Sequence, residues 1–245
     1  MPALTRVHSP ERVDAPRHDP AVLLASLGHI AAVNRWLGGR RALRLALAPL
    51  LRRELRVLDV GTGSADLPLA LAGYARRAGG RLALVATDRH PQILAMAAQR
   101  AAGADQRASA RLRLAGADAL ALPFAAGSFD VVVLSLLLHH LDDREAVLAL
   151  REAARVAPLV VVNELHRTHA NYLGARLLSL TLWRSNYLTS HDGPLSVLRA
   201  FRARELRALA TAAGLETVEL RRRWFYRLVL IAARPEITPS GQVGP

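Results

Sequence analysis

The sequence predicts an α/β protein whose core is a doubly wound, mostly parallel sheet of seven strands with helices on both faces. Short Val- and Leu-rich runs alternate with Ala-rich stretches of helical period from about residue 56 onward, the pattern of βαβ units. The first run enters a glycine-containing turn and then an Ala/Leu helix, as in open α/β sheets that bind ligands beyond the carboxyl ends of their strands. With 245 residues and 51% hydrophobic content, the chain can bury one substantial core.

Taken in order, residues 1–20 carry Pro2, Pro10, Pro16 and Pro20 with no apolar period and read as a flexible arm. A single domain, 21–235, follows. Its helical cap, 21–52, begins where Leu23, Leu24, Leu27, Ile30, Ala31 and Val33 recur at helical spacing until Gly38 and Gly39 stop them; a second helix is expected from about Arg41 to Leu51. The strands expected next are Arg56–Val60, Leu82–Thr87, Arg111–Ala115, Phe129–Leu134, Leu159–Asn163, Glu216–Arg221 and Tyr226–Ala232. Between the fifth and sixth lies a long helical insert, 164–214, with a helix near Tyr172–Arg184, a turn at His191-Asp192-Gly193-Pro194 leading into a helix at Ser196–Phe201, and another helix at Arg202–Ala213. Such an insert is expected to form a lid over the crevice. The tail, 236–245, reads as disordered.

Composition narrows the chemistry. No cysteine is present, so disulfides, thiolate nucleophiles and Cys-based zinc sites are excluded, and no metal is expected. The net charge of +13 would suit a nucleic-acid binder. All 33 basic residues, however, are Arg, they are scattered, and their densest cluster is the short Arg221-Arg222-Arg223. A compositional bias explains this better than a binding patch, and nucleic acid is not an expected partner. The N-terminal segment lacks the apolar core of a signal peptide, and the apolar runs are too short to span a bilayer. The expectation is a cytoplasmic monomer or homodimer without membrane insertion.

The most informative segment is Val57-Leu58-Asp59-Val60-Gly61-Thr62-Gly63-Ser64-Ala65-Asp66. Gly61 and Gly63 permit close backbone approach to a ligand. A dinucleotide turn would carry a third glycine at position 66 to seat a pyrophosphate; Asp66 and Asp59 instead suit a ligand bearing an ammonium and a sulfonium. Ala86-Thr87-Asp88-Arg89 ends the second strand, where an acid can accept both ribose hydroxyls. Gly116-Ala117-Asp118-Ala119 and Leu122-Pro123-Phe124 follow the third, where Asp118 could accept an adenine amino group between apolar neighbours.

The ordered set VLDVGTGSAD, ATDRHP, AGADALALPF and SFDVVVLSLLLHHLDD, over roughly residues 55–160, resembles the class I S-adenosylmethionine-dependent methyltransferases, in the branch that methylates small molecules. The resemblance implies a Rossmann-like seven-stranded sheet with its last strand antiparallel, S-adenosylmethionine as donor, Asp88 on the ribose, Asp118 and Ala119 at the adenine, and Gly61, Gly63 and Ser135 around the methionine end, with Thr62 and Arg89 also among the residues expected to bind the cofactor. Softer similarities, Asn34-Arg35-Trp36-Leu37-Gly38-Gly39 and the HDGP segment, resemble methyltransferases of natural-product and aromatic-polyketide biosynthesis.

Methyl transfer to a phenolic oxygen needs the loss of a proton, a task suited to an imidazole tuned by a carboxylate. Leu138-His139-His140-Leu141 and Asn163-Glu164-Leu165-His166 follow the fourth and fifth strands. His139 is the expected base, His140 second, and Glu164 the carboxylate that orients or balances His139. Trp36, His166, His191 and Arg199 are candidates to touch the acceptor, and Leu24, Leu27, Leu178, Leu180, Leu182 and Trp183 could join Trp36 in an apolar lid. The expected reaction is O-methylation of a small aromatic or lipophilic acceptor. The alternatives are an RNA-modifying methyltransferase, disfavoured by Ser135-Leu136-Leu137-Leu138 where an Asn-Pro-Pro-aromatic motif would serve base amines, and a non-catalytic S-adenosylmethionine-binding protein.

Overall fold

The computed structural model describes residues 4–104, 111–223 and 227–235. Its strands are β1 (Glu54–Val60), β2 (Arg81–Asp88), β3 (Leu112–Gly116), β4 (Val131–Ser135), β5 (Leu159–Leu165), β6 (Glu216–Arg223) and β7 (Arg227–Ala233), in the order β3-β2-β1-β4-β5-β7-β6. All seven overlap the expected strands. The first five pair in parallel, and β7 runs antiparallel to β5 and β6. The chain winds outward from β1 to β3, then returns to lay β4 beside β1. That reversal opens a crevice beyond the carboxyl ends of β1 and β4.

Strand periodicity builds two cores. Leu58, Val60, Val132, Leu134, Val160, Val162, Leu228 and Leu230 share one face of the sheet, whereas Val57, Val131, Val133, Val161 and Val229 share the other. Helices α5 (Asp143–Val156) and α8 (Ala203–Ala212) cover the first face through Ala146, Leu150, Ala153, Leu206 and Ala210; α2 (Gly39–Leu47) and α3 (Asp66–Arg77) cover the second through Leu43, Leu47, Leu67 and Leu71. A third cluster joins Leu23 and Leu27 of α1 (Pro20–Trp36), Ile93 and Met96 of α4 (Pro91–Ala102) and Leu188 of α7 (Tyr187–Arg199), and so ties the cap to the insert over the crevice. The insert's other helix is α6 (His169–Leu180). Local chemistry sets the ends: the Asp19 carboxylate accepts the Ala21 and Val22 amides at 2.8 and 3.1 Å with Pro20 at the first helical position, and Asp142 and Glu145 close a reciprocal capping box on α5. No single described helix is long and apolar enough to cross a membrane.

Three expectations need correction. Residues 4–19 are irregular apart from a 3-10 turn at Arg12–Asp14, but they are not a loose arm. Asp192 accepts the Arg12 and Val13 amides, both at 2.9 Å, Val7 donates to the Leu198 carbonyl at 3.3 Å, and the Arg6 guanidinium lies 4.0 Å from the Phe201 ring centre while pairing with Asp143. His191–Pro194 is not a turn but lies inside α7. Pro194 forgoes one backbone bond there, and Gly193 admits the Trp183 ring so closely that a Cβ would stand 2.6 Å from it. The glycine pair does more than stop α1: Gly38, at φ +87°, caps α2, and Gly39 begins it. The expected tail, 236–245, and Tyr226 lie outside the described residues.

Candidate active site

Beyond the carboxyl ends of β1, β2 and β4 is a chamber of about 530 Å³, roofed by α1, α6, α7 and the N-terminal arm. This is within the range of small-molecule sites. It has two differently built halves.

The first half surrounds the β1–α3 turn. Gly61 and Gly63 have φ of +71° and +56°, a region that penalises a Cβ. A Cβ on Gly61 would also stand 2.8 Å from Leu137 Cδ1, whereas one on Gly63 would meet only open space. The turn is tied to β2: the Thr62 amide donates to the Thr87 carbonyl at 2.8 Å, and the Gly63 amide donates to Asp88 Oδ2 at 3.0 Å. Asp88 Oδ1 accepts the His90 amide at 3.0 Å. Asp59 is buried at the end of β1; burial, with smaller contributions from Asp66 and Asp88 and against the Thr62 hydroxyl, pushes its carboxyl up to about 7. Burial also raises Asp88, against the His90 and Gly63 amides. Asp66 opens α3 and accepts Asn34 Nδ2 at 3.2 Å and the Arg40 guanidinium at 3.4 Å.

Asp118 and Ala119 stand beyond β3, where Asp118 Oδ1 accepts the Leu120 amide at 2.9 Å. Ser135 ends β4 with its hydroxyl 3.5 Å from Asn163 Nδ2, and Arg89 stands at the rim, 4.0 Å from Asp14. All ten expected cofactor residues thus line one chamber. Asp59, Asp66 and Asp88 at a turn with no third glycine fit a ligand with a sulfonium and an ammonium better than a pyrophosphate.

The second half is built on His139 and His140, in a 3-10 turn (Leu138–His140) beyond β4. His139 and Glu164 are both buried, with Nδ1 2.8 Å from Glu164 Oε2. Glu164 further accepts the Leu138 amide at 2.8 Å and the Leu165 amide at 3.2 Å. Burial alone would raise the Glu164 carboxyl, but His139, His140 and the Leu138 amide hold it below the usual range. The expected trio is therefore assembled. The arm adds two acids that sequence reasoning missed: Asp14, whose Oδ1 is 3.1 Å from His140 Nδ1, and buried Glu11, whose oxygens lie 3.6 Å from His139 Nε2 and 3.8 Å from His140 Nε2. Burial opposes charging His140, yet Glu11, Asp14 and Glu164 outweigh it and push the imidazole up to about 9. Two acids three residues apart in an aperiodic arm offer no signal beyond a possible cap. Arg227 was missed for a like reason, being one Arg in an Arg-rich stretch. It is buried at the chamber wall, donates to Asn34 Oδ1 at 3.2 Å, and is lowered to about 10 by burial, against Glu164 and Asp66.

None of the four expected acceptor contacts lines the chamber. Trp36 is 68% exposed with the Arg35 guanidinium 4.8 Å from its ring. His166 is buried behind β5, bridged to Phe201, and His191 turns its Nδ1 to Asp192 at 2.7 Å. Arg199 acts from behind: its Nε donates to the His139 carbonyl at 2.8 Å and lies 3.8 Å from Glu11. Of the expected lid, Leu27, Leu178 and Trp183 face the chamber, while Leu24, Leu180 and Leu182 are exposed.

Comparison with known proteins bears on the family and the fold. Residues 57–158 match the family described as a methyltransferase domain. Demethylmenaquinone methyltransferase of Thermus thermophilus is 38% identical over 134 residues, 55% of this chain and 54% of that protein. The ubiquinone/menaquinone biosynthesis C-methyltransferase UbiE of Rickettsia felis is 35% identical over 100 residues, 41% of this chain and 39% of that one. The chain thus aligns with about half the length, or less, of these curated relatives. Among solved structures, the O-methyltransferase NcsB1 from neocarzinostatin biosynthesis, in complex with S-adenosylmethionine and 2-hydroxy-5-methyl naphthoic acid, superposes with a TM-score of 0.64 at 22% identity over 88% of this chain and 58% of that chain. A SAM-dependent methyltransferase from Aquifex aeolicus superposes with a TM-score of 0.62 at 14% identity over 88% of this chain and 98% of that chain. At these identities the likeness concerns the fold.

Proposed function

We propose that this chain, a class I S-adenosylmethionine-dependent methyltransferase by its residues 57–158, methylates a phenolic hydroxyl of a small aromatic or lipophilic acceptor with His139 as general base. The observation that carries the reading is the buried Glu164–His139 pair, in which His139 faces the chamber and Glu164 stands behind it.

S-adenosylmethionine, when bound, supplies an electrophilic methyl group on its sulfonium. Asp88 would hold the ribose, Asp118 and Ala119 the adenine, and Gly61, Thr62, Gly63 and Ser135 the amino-acid end. Glu164 keeps the proton on His139 Nδ1, so the Nε2 lone pair is left to take the acceptor's proton, and the carboxylate then stabilises the imidazolium. Leu27, Ile30, Val33, Leu178 and Trp183 give the chamber apolar walls that favour a ring and exclude water. Positioning in that dry space supplies much of the rate.

A second reading, C-methylation of a hydroxyl-bearing ring, is favoured by the similarity to demethylmenaquinone methyltransferase. It needs the same deprotonation, because a phenolate also pushes electron density onto ring carbon. The test is to supply methyl-labelled S-adenosylmethionine with hydroxynaphthoic acids and with naphthohydroquinones, and to identify the product by NMR. A new O-methyl resonance supports the first reading and a new C-methyl the second. Transfer to no phenol, from a protein that binds the donor, removes both.

A further inference from the structure

Glu11, His139 and His140 each offer one potential ligating atom, all within 4.8 Å of one another. His139 Nε2 is 3.6 Å from Glu11 Oε1 and His140 Nε2 is 3.8 Å from Glu11 Oε2, both too long for hydrogen bonds. Glu11 Oε1 is buried and has no hydrogen-bond partner, a state that a buried carboxylate oxygen does not hold without cost. Arg199, 3.8 Å away, is committed elsewhere: its Nε donates to the His139 carbonyl and its Nη1 to the Ser9 carbonyl.

The opposite ring nitrogens are held by carboxylates, Nδ1 of His139 by Glu164 and Nδ1 of His140 by Asp14. A carboxylate at Nδ1 fixes the proton there and leaves Nε2 as a lone-pair donor, the arrangement that orients histidine ligands around metals. Three carboxylates, Glu11, Asp14 and Glu164, touch this cluster, with Arg199 3.8 Å from Glu11 and Arg89 4.0 Å from Asp14.

We propose that Glu11, His139 and His140 bind a divalent transition-metal ion of the zinc or cobalt class. Two histidines and a carboxylate suit such an ion and leave coordination positions open toward the chamber. Ligands about 2.1 Å from a tetrahedral ion stand about 3.4 Å apart, so the 3.6 and 3.8 Å separations from Glu11 need only a small closure, while the whole set, now within 4.8 Å, must draw together further. One consequence rests on the proposed function: the lone pair that ligates the ion is the one that takes the acceptor's proton. The metal-loaded and proton-accepting forms therefore exclude each other, and the ion suppresses turnover.

The experiment titrates the chelator-stripped full chain with Co²⁺, without donor or acceptor, by visible absorption and calorimetry. One ion per chain, with the intense bands of a four- or five-coordinate site, is expected for the unsubstituted protein and for Asp88→Ala. Glu11→Gln and His140→Asn, checked for native circular dichroism, should weaken binding at least about tenfold. Only the pale spectrum of the hydrated ion, or variants that bind as tightly as the parent, overturns the site. A separate assay adds Zn²⁺ during turnover: inhibition reversed by chelator supports both the site and its consequence. Binding at Glu11 and His140 with turnover unaffected supports the site and removes His139 as the base.

Discussion

Glu164 Oε2 lies 2.8 Å from His139 Nδ1 with both side chains shut off from solvent, so the carboxylate sets which imidazole nitrogen is free to react. Glu164→Gln keeps the shape but removes the charge and offers the wrong partner to Nδ1. Turnover should fall about a hundredfold or more, while calorimetry shows donor affinity within about a factor of two of the parent. A variant of near-normal kcat would leave positioning as the main catalytic device.

Asp88 accepts the Gly63 and His90 amides, and under the proposed function it holds the donor's ribose. Asp88→Ala removes a charged acceptor and should weaken S-adenosylmethionine binding by about 2–3 kcal/mol, roughly 30- to 150-fold. Titration calorimetry reads this directly, and unchanged affinity would mean that the ribose lies elsewhere.

Asp59, pushed up to about 7 by burial, is neutral below that pH and anionic above it. A cationic ligand prefers the anion, so donor affinity should strengthen as pH rises from about 6 to 8 and then level off, approaching a tenfold change per unit on the acid side. Asp59→Asn should flatten this profile. A parent profile already flat would show that Asp59 does not share charge with the donor.

The segments easiest to foresee were those whose chemistry is local. Val131–Leu134 is apolar on both faces, as a central parallel strand must be, and Gly61, Asp88, Asp118 and Ser135 each sit at or just beyond the carboxyl end of a strand, so topology alone gathers them at one sheet edge. Glu11 and Asp14 meet the histidines only through tertiary docking, and nothing near them in sequence announces it. Trp36, His166 and His191 were chosen by residue type, but type does not reveal direction: α1 turns Trp36 outward, and His191 points at Asp192. The Gly-Pro pair in α7 reads as a turn until the Trp183 ring is seen to need the absent Cβ.

Asp192 holds two consecutive arm amides. Asp192→Ala should cost about 2–3 kcal/mol, lowering Tm by about 5–10 °C, and speed limited proteolysis before residue 20. Acceptor KM should rise while donor affinity holds. Equal protease resistance would show that the arm is anchored mainly by Arg6 and by Arg167, whose Nε donates to the Leu4 carbonyl at 3.0 Å.

Gly193→Ala tests the other side of α7. The added methyl, 2.6 Å from the Trp183 ring, should destabilise by about 1–3 kcal/mol and shift Trp183 fluorescence, because that ring must move into the chamber or away from it. A melting temperature equal to the parent's would mean that the ring yields freely.

The grip of Asp192 on the arm also makes the histidine cluster a long-range assembly. Glu11 and Asp14 reach the histidines only with α7 in place to hold the arm, and Arg199, which donates to the His139 carbonyl, belongs to that same helix. A fragment cut to residues 57–158 would keep Gly61, Asp88, His139 and His140 and lose Glu11, Asp14, Glu164 and Arg199.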